Sequence, residues 1–504
     1  MLKTVFLKAF SLIWLLNFGL IYGSERLSVE AQKQIERGID KTYRMDFQNA
    51  ISCFDSTIKD FPERPEGYFF KSANYFWQTS VNLKDEDRIE KFRINTELTI
   101  EKAEELEETK DLKFFLGASY GNLGRYHALK ANWIRAYWYG KKGKNYLEEL
   151  VEMDSTYYDA YLGLGIFHYY ADILPSFVKV LSGILGVKGD RERGLYELKL
   201  AAEKGTYSRV EAIYILTDLY VDLEGEYTKA EQLCHQIQKE FPQNYGFLYN
   251  LGKAYQFRGE ANKAIAVYSE MISRIDTTLA PEIYIVGYYQ KAETYASIDE
   301  YENAIKAYET LRNFPYSQGT WQGLWGKLRL GEAYEILGQR EKAVEIYKQV
   351  EDSDKFEKPR KEAKRRIKNP MSELEILSLR TTNLEQGEKH QKVVKLSEEY
   401  FSKNPKIGKD QEELFGEVHY RLGKSYTAIE NYGKAKTTFE KVLKFDKVSS
   451  ARKGWAYFFL GKVNYILGND SLAKENFQKS LKEDTTEWLL VREIEKIYPN
   501  FFKG

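Results

Sequence analysis

The sequence predicts an all-α fold, a right-handed superhelical solenoid built from antiparallel helix pairs. Three observations lead to this prediction. The chain has 504 residues, which is more than one hydrophobic core usually organises. Tyr (39) and Phe (28) are plentiful and only ten residues are Pro, a composition that suits many thin helical layers. A short motif of Leu, Gly, Ala and aromatic residues also recurs at fixed spacing.

The recurring motif begins with Leu-Gly and continues with a Tyr three residues after the Gly. An Ala follows nine residues after that Tyr, and an aromatic residue follows four residues after the Ala. The three clearest copies span residues 251–268, 330–347 and 422–439. Gly and Ala allow two helices to approach closely, and the larger residues recur at i, i+3 and i+4 as a packing stripe. The motif therefore predicts helical hairpins that stack on one another.

This motif is typical of the tetratricopeptide repeat (TPR), a unit of about 34 residues that forms two antiparallel helices. Weaker copies fill the intervals between the clear ones, and Pro residues close several second helices because Pro cannot continue a helix. We expect about nine to eleven repeats. The segment from Glu487 to Tyr498 is expected to be a helix that caps the end of the array.

The first residues have the pattern of a signal peptide. Lys3 and Lys8 precede an apolar run that ends at the small residues Gly23 and Ser24. We expect residues 1–23 to be removed, with an uncleaved anchor as the alternative. The mature chain is then expected to be exported to the periplasm or the extracellular space and to be associated with the cell envelope.

Beyond residue 23 the sequence divides into two predicted arrays. Residues 24–350 form the N-terminal TPR array and residues 371–504 form the C-terminal array with its capping helix. Between them, residues 351–370 are predicted to form a basic linker or short helix, in which residues 355–368 are strongly basic. A solvated face explains such a charge run, and a patch for an anionic partner is the alternative.

One hairpin of the N-terminal array carries an insertion, residues 171–193. The stripe of its second helix begins 26 residues after His168 instead of nine, so seventeen residues are extra. Residues 173–187 are almost uniformly apolar, and an apolar insertion must be buried against something. We expect burial in the solenoid itself. Contact with lipid or a docked partner is the alternative, and its candidate residues are Ile173, Leu174, Phe177, Val178, Leu181, Ile184 and Leu185.

This hairpin resembles the tetratricopeptide-repeat protein 39 family and its bacterial relatives. The similarity lies in residues 161–170, the apolar insertion, and residues 189–194 and 198–205. The resemblance implies a TPR protein without enzymatic activity. It also gives some support to contact with lipid.

Motifs for catalysis or cofactor binding are not recognisable in the sequence. The five His residues lie in separate repeats without metal-ligand spacing, and His168 is interpreted as a packed or capping residue. Cys53 and Cys234 are predicted to be buried small side chains and not a disulfide. Lys plus Arg (75) equals Asp plus Glu (75), which argues against nucleic acid as a partner. We expect no enzyme, no cofactor and no metal.

The first helices of TPR pairs line a concave groove, so the groove is the candidate site for a protein partner. Its predicted residues are rich in aromatic rings, which are good anchors for a peptide or helix, and they predict no carboxylate clamp. Packing between repeats is the alternative role for each. The predicted groove residues are Tyr249, Lys253, Gln256, Tyr289, Glu293, Trp325, Glu332, Tyr420, Lys424, Trp455 and Lys462. The sequence thus predicts a protein-binding scaffold or adaptor of the bacterial cell envelope, or alternatively a membrane-associated protein that uses residues 173–187.

Overall fold

The computed structural model of the protein describes residues 27–81, 85–172, 189–403, 407–483, 488–499 and 501. These residues form 24 α-helices and contain no strand. The predicted signal peptide and the seven predicted lipid contacts of the insertion, Ile173 to Leu185, lie outside the described residues. Among the helices that the structure describes, none is long and apolar enough to cross a membrane.

The chain divides into two compact units. Unit 1 takes the described residues up to Ile213, and unit 2 takes those from Tyr214 onward. The division lies inside the helix Arg209–Leu219, whereas the sequence suggested a soft boundary in the basic segment 351–370.

Unit 1 consists of four helix pairs and the start of α9. Each pair joins a first helix to an antiparallel second helix, and consecutive pairs pack side by side. The helices are α1 (Val29–Tyr43), α2 (Phe47–Asp60), α3 (Pro65–Val81), α4 (Glu86–Glu104), α5 (Lys110–Leu129), α6 (Trp133–Met153), α7 (Ala160–Asp172), α8 (Arg191–Lys204) and α9 (Arg209–Leu219).

Unit 2 continues with a π-helical turn, Tyr220–Glu224, which follows α9 and packs on the next helix. Seven pairs follow from there, counting α9 as the first helix of the first pair, together with two single helices, α17 and α24. The helices are α10 (Tyr227–Gln238), α11 (Tyr245–Phe257), α12 (Ala261–Arg274), α13 (Pro281–Ala296), α14 (Tyr301–Asn313), α15 (Trp321–Ile336), α16 (Arg340–Glu351), α17 (Glu357–Lys368), α18 (Glu373–Gln386), α19 (His390–Ser402), α20 (Glu412–Ala428), α21 (Tyr432–Val442), α22 (Ser450–Ile466), α23 (Asp470–Glu483) and α24 (Trp488–Ile497).

A glycine packed beneath an aromatic ring sets the approach of the two helices in five of these pairs. In each, the ring belongs to the residue sixteen positions after the glycine, and a Cβ atom added to the glycine would lie within 3.0 Å of a ring atom. The aromatic side chains are fully buried or nearly so. The contacts are Gly38 with Phe54, Gly252 with Tyr268, Gly331 with Tyr347, Gly423 with Phe439, and Gly461 with Phe477. The helices therefore meet at a distance that only glycine permits.

The pair α7 and α8 keeps the same contact despite the insertion. Gly165 packs against Leu198, within 3.0 Å of where its Cβ atom would lie. The two residues are 33 positions apart, which equals the usual sixteen plus the seventeen extra residues. Gly189 lies beside Asp172, and the Asp190 amide donates to the His168 carbonyl at 3.1 Å. Asp172 and Gly189, which flank the undescribed part of the insertion, therefore lie side by side.

The basic segment forms α17, which packs on α16 through the buried residues Pro359 and Ala363. Its arginines are engaged by carboxylates. Arg365 contacts Glu362 and Glu375 at 2.6 Å each, and Arg366 contacts the same two carboxylates at 2.8 and 3.0 Å. Much of the positive charge of this segment is therefore neutralised within the chain.

The predicted capping helix is confirmed as α24. Leu490 and Ile494 are fully buried against Phe458 and Phe477 of the last repeat. Both cysteines are free thiols. Cys234 is buried as predicted, and burial raises the pKa of its thiol. Cys53 is only half-buried, so the prediction of a buried side chain is wrong for this residue.

We expect Gly331→Ala to lower the free energy of unfolding by about 1–2 kcal/mol, because the added methyl group overlaps the Tyr347 ring and overpacking outweighs the gain in helix propensity. Urea unfolding followed by circular dichroism measures the change. Gly433→Ala is the matched control, since nothing lies within 4 Å of a Cβ atom at that exposed helical position. Equal effects of the two substitutions would contradict the proposed packing role.

Candidate interaction groove of unit 2

The eleven predicted groove residues all lie on first helices of unit 2. Five first helices carry them: Tyr249, Lys253 and Gln256 on α11, Tyr289 and Glu293 on α13, Trp325 and Glu332 on α15, Tyr420 and Lys424 on α20, and Trp455 and Lys462 on α22. The fold therefore brings them to equivalent helices of neighbouring repeats, as the sequence predicted.

Four of these residues are buried, which favours the alternative role of packing between repeats for them. Lys253, Tyr289, Glu332 and Tyr420 have only 4 to 8% of their surface exposed. Each fills the space between adjacent helices, where a partner could not reach it without separating those helices. They are packing residues.

The other seven predicted residues are half-buried and present part of their side chain at the surface. They are Tyr249, Gln256, Glu293, Trp325, Lys424, Trp455 and Lys462. The two Trp rings are anchored in the cores of their own repeats and remain partly accessible. This set combines rigid aromatic rings with polar groups of both signs.

At the N-terminal side of the groove, the Lys253 ammonium group lies between two carboxylates. It pairs with Asp222 and lies 5.2 Å from the centre of the Tyr249 ring. Asp218 lies nearby on α9. Burial raises the pKa of Asp218 to about 6, the Asp222 charge adds to this effect, and Lys253 opposes it. Lys253 therefore compensates negative charge on the preceding repeat.

In the middle of the groove, Arg329 of α15 joins two repeats. Its guanidinium group donates to Glu332 at 2.8 Å and lies 3.9 Å from Glu293 of α13. The Glu332 charge is the main reason that the pKa of Arg329 is raised further above its usual value. Tyr308 of the second helix α14 donates to Glu293, so this carboxylate is held from both sides.

At the C-terminal side, alternating charges connect α18, α20 and α22. Glu385 of α18 accepts from Arg421 at 2.8 Å and also pairs with Lys424. Arg421 contacts Glu417 at 2.7 Å, and Glu417 contacts Arg452 of α22, also at 2.7 Å. Burial opposes ionisation of Glu385, yet the two cations hold its pKa below the usual range.

We call these contacts the groove ion-pair row: Asp222–Lys253, Glu293–Arg329–Glu332, and Lys424–Glu385–Arg421–Glu417–Arg452. Most of its links connect a first helix to the next one in the array. Partly buried charges are stable only when they are paired, so the row holds neighbouring repeats in one arrangement. It also leaves little uncompensated charge in the groove, which therefore favours a partner of mixed polarity over a highly charged one.

Several members of the row were not predicted from the sequence: Asp222, Arg329, Glu385, Glu417, Arg421 and Arg452. Arg329 could have been predicted from the sequence, because it lies four residues after Trp325 and therefore on the same helix face. Glu385 could not have been predicted in this way, since α18 lacks a clear copy of the repeat motif. His168, by contrast, is confirmed as a packed residue: its Nδ1 atom lies 2.6 Å from the Glu197 carboxylate in the buried layer between α7 and α8.

The two ends of unit 2 touch each other. Arg492 of α24 donates to the carbonyl groups of Leu223 and Glu224 in the π-helical turn, the latter at 3.3 Å. Its guanidinium group lies 4.0 Å from the Glu224 carboxylate, and both side chains are almost buried. We call this contact the end clasp. It connects residues 268 positions apart in the chain.

A second long-range contact supports the same arrangement. Arg380 of α18 donates two hydrogen bonds, of 3.0 and 2.6 Å, to the carboxylate of Asp299 in the turn between α13 and α14. Asn383 donates to the Tyr301 hydroxyl at 3.2 Å. Repeats that are not sequence neighbours are therefore fixed relative to one another within unit 2.

We expect Lys253→Met to lower the free energy of unfolding by about 2–3 kcal/mol at pH 7, because two carboxylates lose their compensating cation. The carboxyl of Asp218 has a raised pKa of about 6, so its ionised form destabilises the fold above that pH and the penalty disappears as the carboxyl takes up a proton below it. The loss should therefore shrink between pH 7 and pH 5. Asp218→Asn in the same chain should restore part of the stability at pH 7. A loss that is independent of pH and unaffected by Asp218→Asn would contradict this assignment.

We expect Arg492→Ala to open the end clasp without unfolding the repeats. Hydrogen exchange measured by mass spectrometry should become at least several-fold faster in residues 220–225 and 488–497. Lys496→Ala is the control, because that exposed side chain pairs with Glu493 on its own helix. Unchanged exchange in the π-helical turn of the Arg492→Ala protein would show that the clasp does not hold the two ends.

Comparison with known proteins places this architecture among TPR proteins. Residues 159–322 match the family model described as Iml2/Tetratricopeptide repeat protein 39. Residues 327–356 and 416–448 match a tetratricopeptide-repeat model. The first match includes the hairpin with the insertion and extends beyond the segment on which the resemblance was first based.

Three solved structures are similar in part. A tetratricopeptide repeat protein from Parabacteroides merdae ATCC 43184 has 16% identity and a TM-score of 0.26, over 57% of this chain and 97% of that one. The Cut9-Hcn1 hetero-tetramer of the APC/C has 12% identity and a TM-score of 0.25, over 94% and 97%. The P58(IPK) TPR domain has 9% identity and a TM-score of 0.24, over 94% and 99%.

The repeat motif, the stacked helix pairs and the matches to family models lead to one conclusion. The chain contains tetratricopeptide repeats, and its residues 159–322 resemble the Iml2/tetratricopeptide repeat protein 39 family.

Proposed function

We propose that this protein is a non-enzymatic scaffold or adaptor of the bacterial cell envelope that binds a protein partner in the groove of unit 2. TPR repeats in general point to protein partners. The location is proposed from the signal-peptide pattern of residues 1–23. The contact residues are the half-exposed members of the predicted set.

The observation that supports this proposal most strongly is that the predicted groove side chains are partly exposed on helices that are held in place. Seven half-exposed residues lie on five first helices, while the groove ion-pair row fixes the helices that carry them. A preformed surface loses little conformational entropy when a partner binds. Trp325 and Trp455 supply large, rigid contact areas, which are the side chains that dominate binding energy at protein interfaces.

The chemistry of the groove favours recognition over catalysis. The charged groups of the groove ion-pair row are engaged with one another, so their electrostatic role is already satisfied within the repeats. The accessible polar atoms, such as those of Gln256 and Lys462, suit hydrogen bonds to a partner backbone. The partner that fits best is a peptide segment or helix with both apolar and polar side chains.

Photo-cross-linking in native cells tests the proposal. A photoreactive amino acid is introduced at Gln256 or at Lys462, which lie at the two ends of the groove. The matched control positions are Lys342 and Lys395, which are exposed on the second helices α16 and α19. We expect the groove positions to capture the same partner and the control positions not to capture it, because second helices do not line the groove.

Capture of one partner at all four positions, or of none at the groove positions, would contradict the groove assignment. Captured partners that all lack export signals would contradict the envelope location. Circular dichroism of each variant verifies that the fold is retained.

A further inference from the structure

The turn between α5 and α6 in unit 1 exposes an unusual amount of apolar surface. Trp133 is 55% exposed, Ile134 65%, Trp138 51% and Leu129 41%. Ile134 and Trp138 are four residues apart and therefore share one face of α6. Soluble proteins seldom expose several large apolar side chains together unless the patch binds something.

The same part of the chain is strongly basic. Residues 112–147 contain seven basic residues and no acidic residue, although the whole chain has equal numbers of each. Four of the seven are paired with carboxylates from elsewhere in unit 1: Lys113 with Glu108 and Glu149, Arg125 with Glu211, Lys130 with Glu86, and Lys144 with Glu148.

Three further basic residues, Arg135, Lys141 and Lys142, lie on the same helix as Trp133 and Trp138. Arg135 is exposed beside Ile134 in the first turn of α6. The Lys141 ammonium group lies 6.0 Å from the centre of the Trp138 ring. Lys142 donates to the neutral Tyr120 hydroxyl at 2.6 Å. The first turn of α6 contains no acidic residue, and the positive end of the helix dipole adds to the local positive potential.

This combination matches the chemistry of a membrane surface. Trp side chains favour the boundary between headgroups and acyl chains. Ile and Leu gain free energy when they enter the acyl region. Lys and Arg are attracted to anionic headgroups. A protein partner would explain the apolar surface alone, whereas an anionic bilayer explains the apolar surface and the positive charge together.

We propose that the α5–α6 turn is a peripheral membrane contact in which Trp133, Ile134 and Trp138 enter the headgroup boundary of an anionic phospholipid bilayer. Arg135 and Lys142 bind the phosphate groups around them. The contact is independent of the groove of unit 2.

Flotation of residues 24–504 with vesicles tests this proposal. Phosphatidylcholine vesicles are compared with vesicles that also contain about 30% phosphatidylglycerol. We expect binding to the anionic vesicles that weakens with added salt. The triple variant Trp133→Ser, Ile134→Ser, Trp138→Ser should lose about tenfold or more of this binding. Arg135→Gln together with Lys142→Gln should also weaken it and reduce its salt dependence.

Tyr196→Ser with Tyr316→Ser is the matched control, because both aromatic residues are exposed and lie outside the turn. Every variant keeps residues 173–187, so a difference in binding reports on the turn alone. Circular dichroism confirms that the exposed substitutions preserve the helices.

Three results would overturn the proposal. The first is absence of vesicle binding by the unsubstituted chain. The second is equal binding by the apolar triple variant. The third is self-association in sedimentation velocity that the triple variant abolishes without any vesicle binding, which would make the turn an interface between copies of the chain.

Discussion

The contact between a motif glycine and the aromatic ring sixteen residues later is the constraint on which the rest of the array depends. It brings the two helices of a pair closer together than any other residue would permit, and it recurs from Gly38 with Phe54 to Gly461 with Phe477. Since every such pair has the same internal geometry, the first helices present equivalent positions side by side. The groove is a consequence of that repetition, and so is the tolerance for seventeen extra residues between Gly165 and Leu198.

Electrostatics acts on top of this packing. The repeats could slide against each other if apolar contacts alone held them, because such contacts are not directional. Partly buried ion pairs between helices, such as Arg421 with Glu385 and Arg452 with Glu417, require one arrangement of the repeats, since separating them leaves an uncompensated charge. The end clasp and the contact of Arg380 with Asp299 extend this constraint to repeats that are distant in sequence. Unit 2 can therefore present a fixed surface to a partner.

The sequence predicted the parts of the structure that depend on local spacing and could not predict those that depend on distant residues. The helix pairs, the close approach at Gly331 and the capping helix follow from spacings of three to sixteen residues. Lys253 and Tyr420 were predicted to line the groove but are buried. A rotation of one residue about a helix axis separates a packed position from an exposed one, and the sequence pattern does not resolve so small a difference. The partner of Arg492 lies 268 positions away, a contact that no local pattern encodes.

Hydroxyl-radical footprinting of the protein alone and in its native complex tests directly whether the groove of unit 2 receives a protein partner. Oxidation rates of individual side chains report the solvent accessibility of each. We expect Trp325 and Trp455 to become protected in the complex. Tyr316, which is exposed outside the first helices, should remain as reactive as before. Unchanged reactivity of both Trp residues, with protection elsewhere, would contradict this expectation.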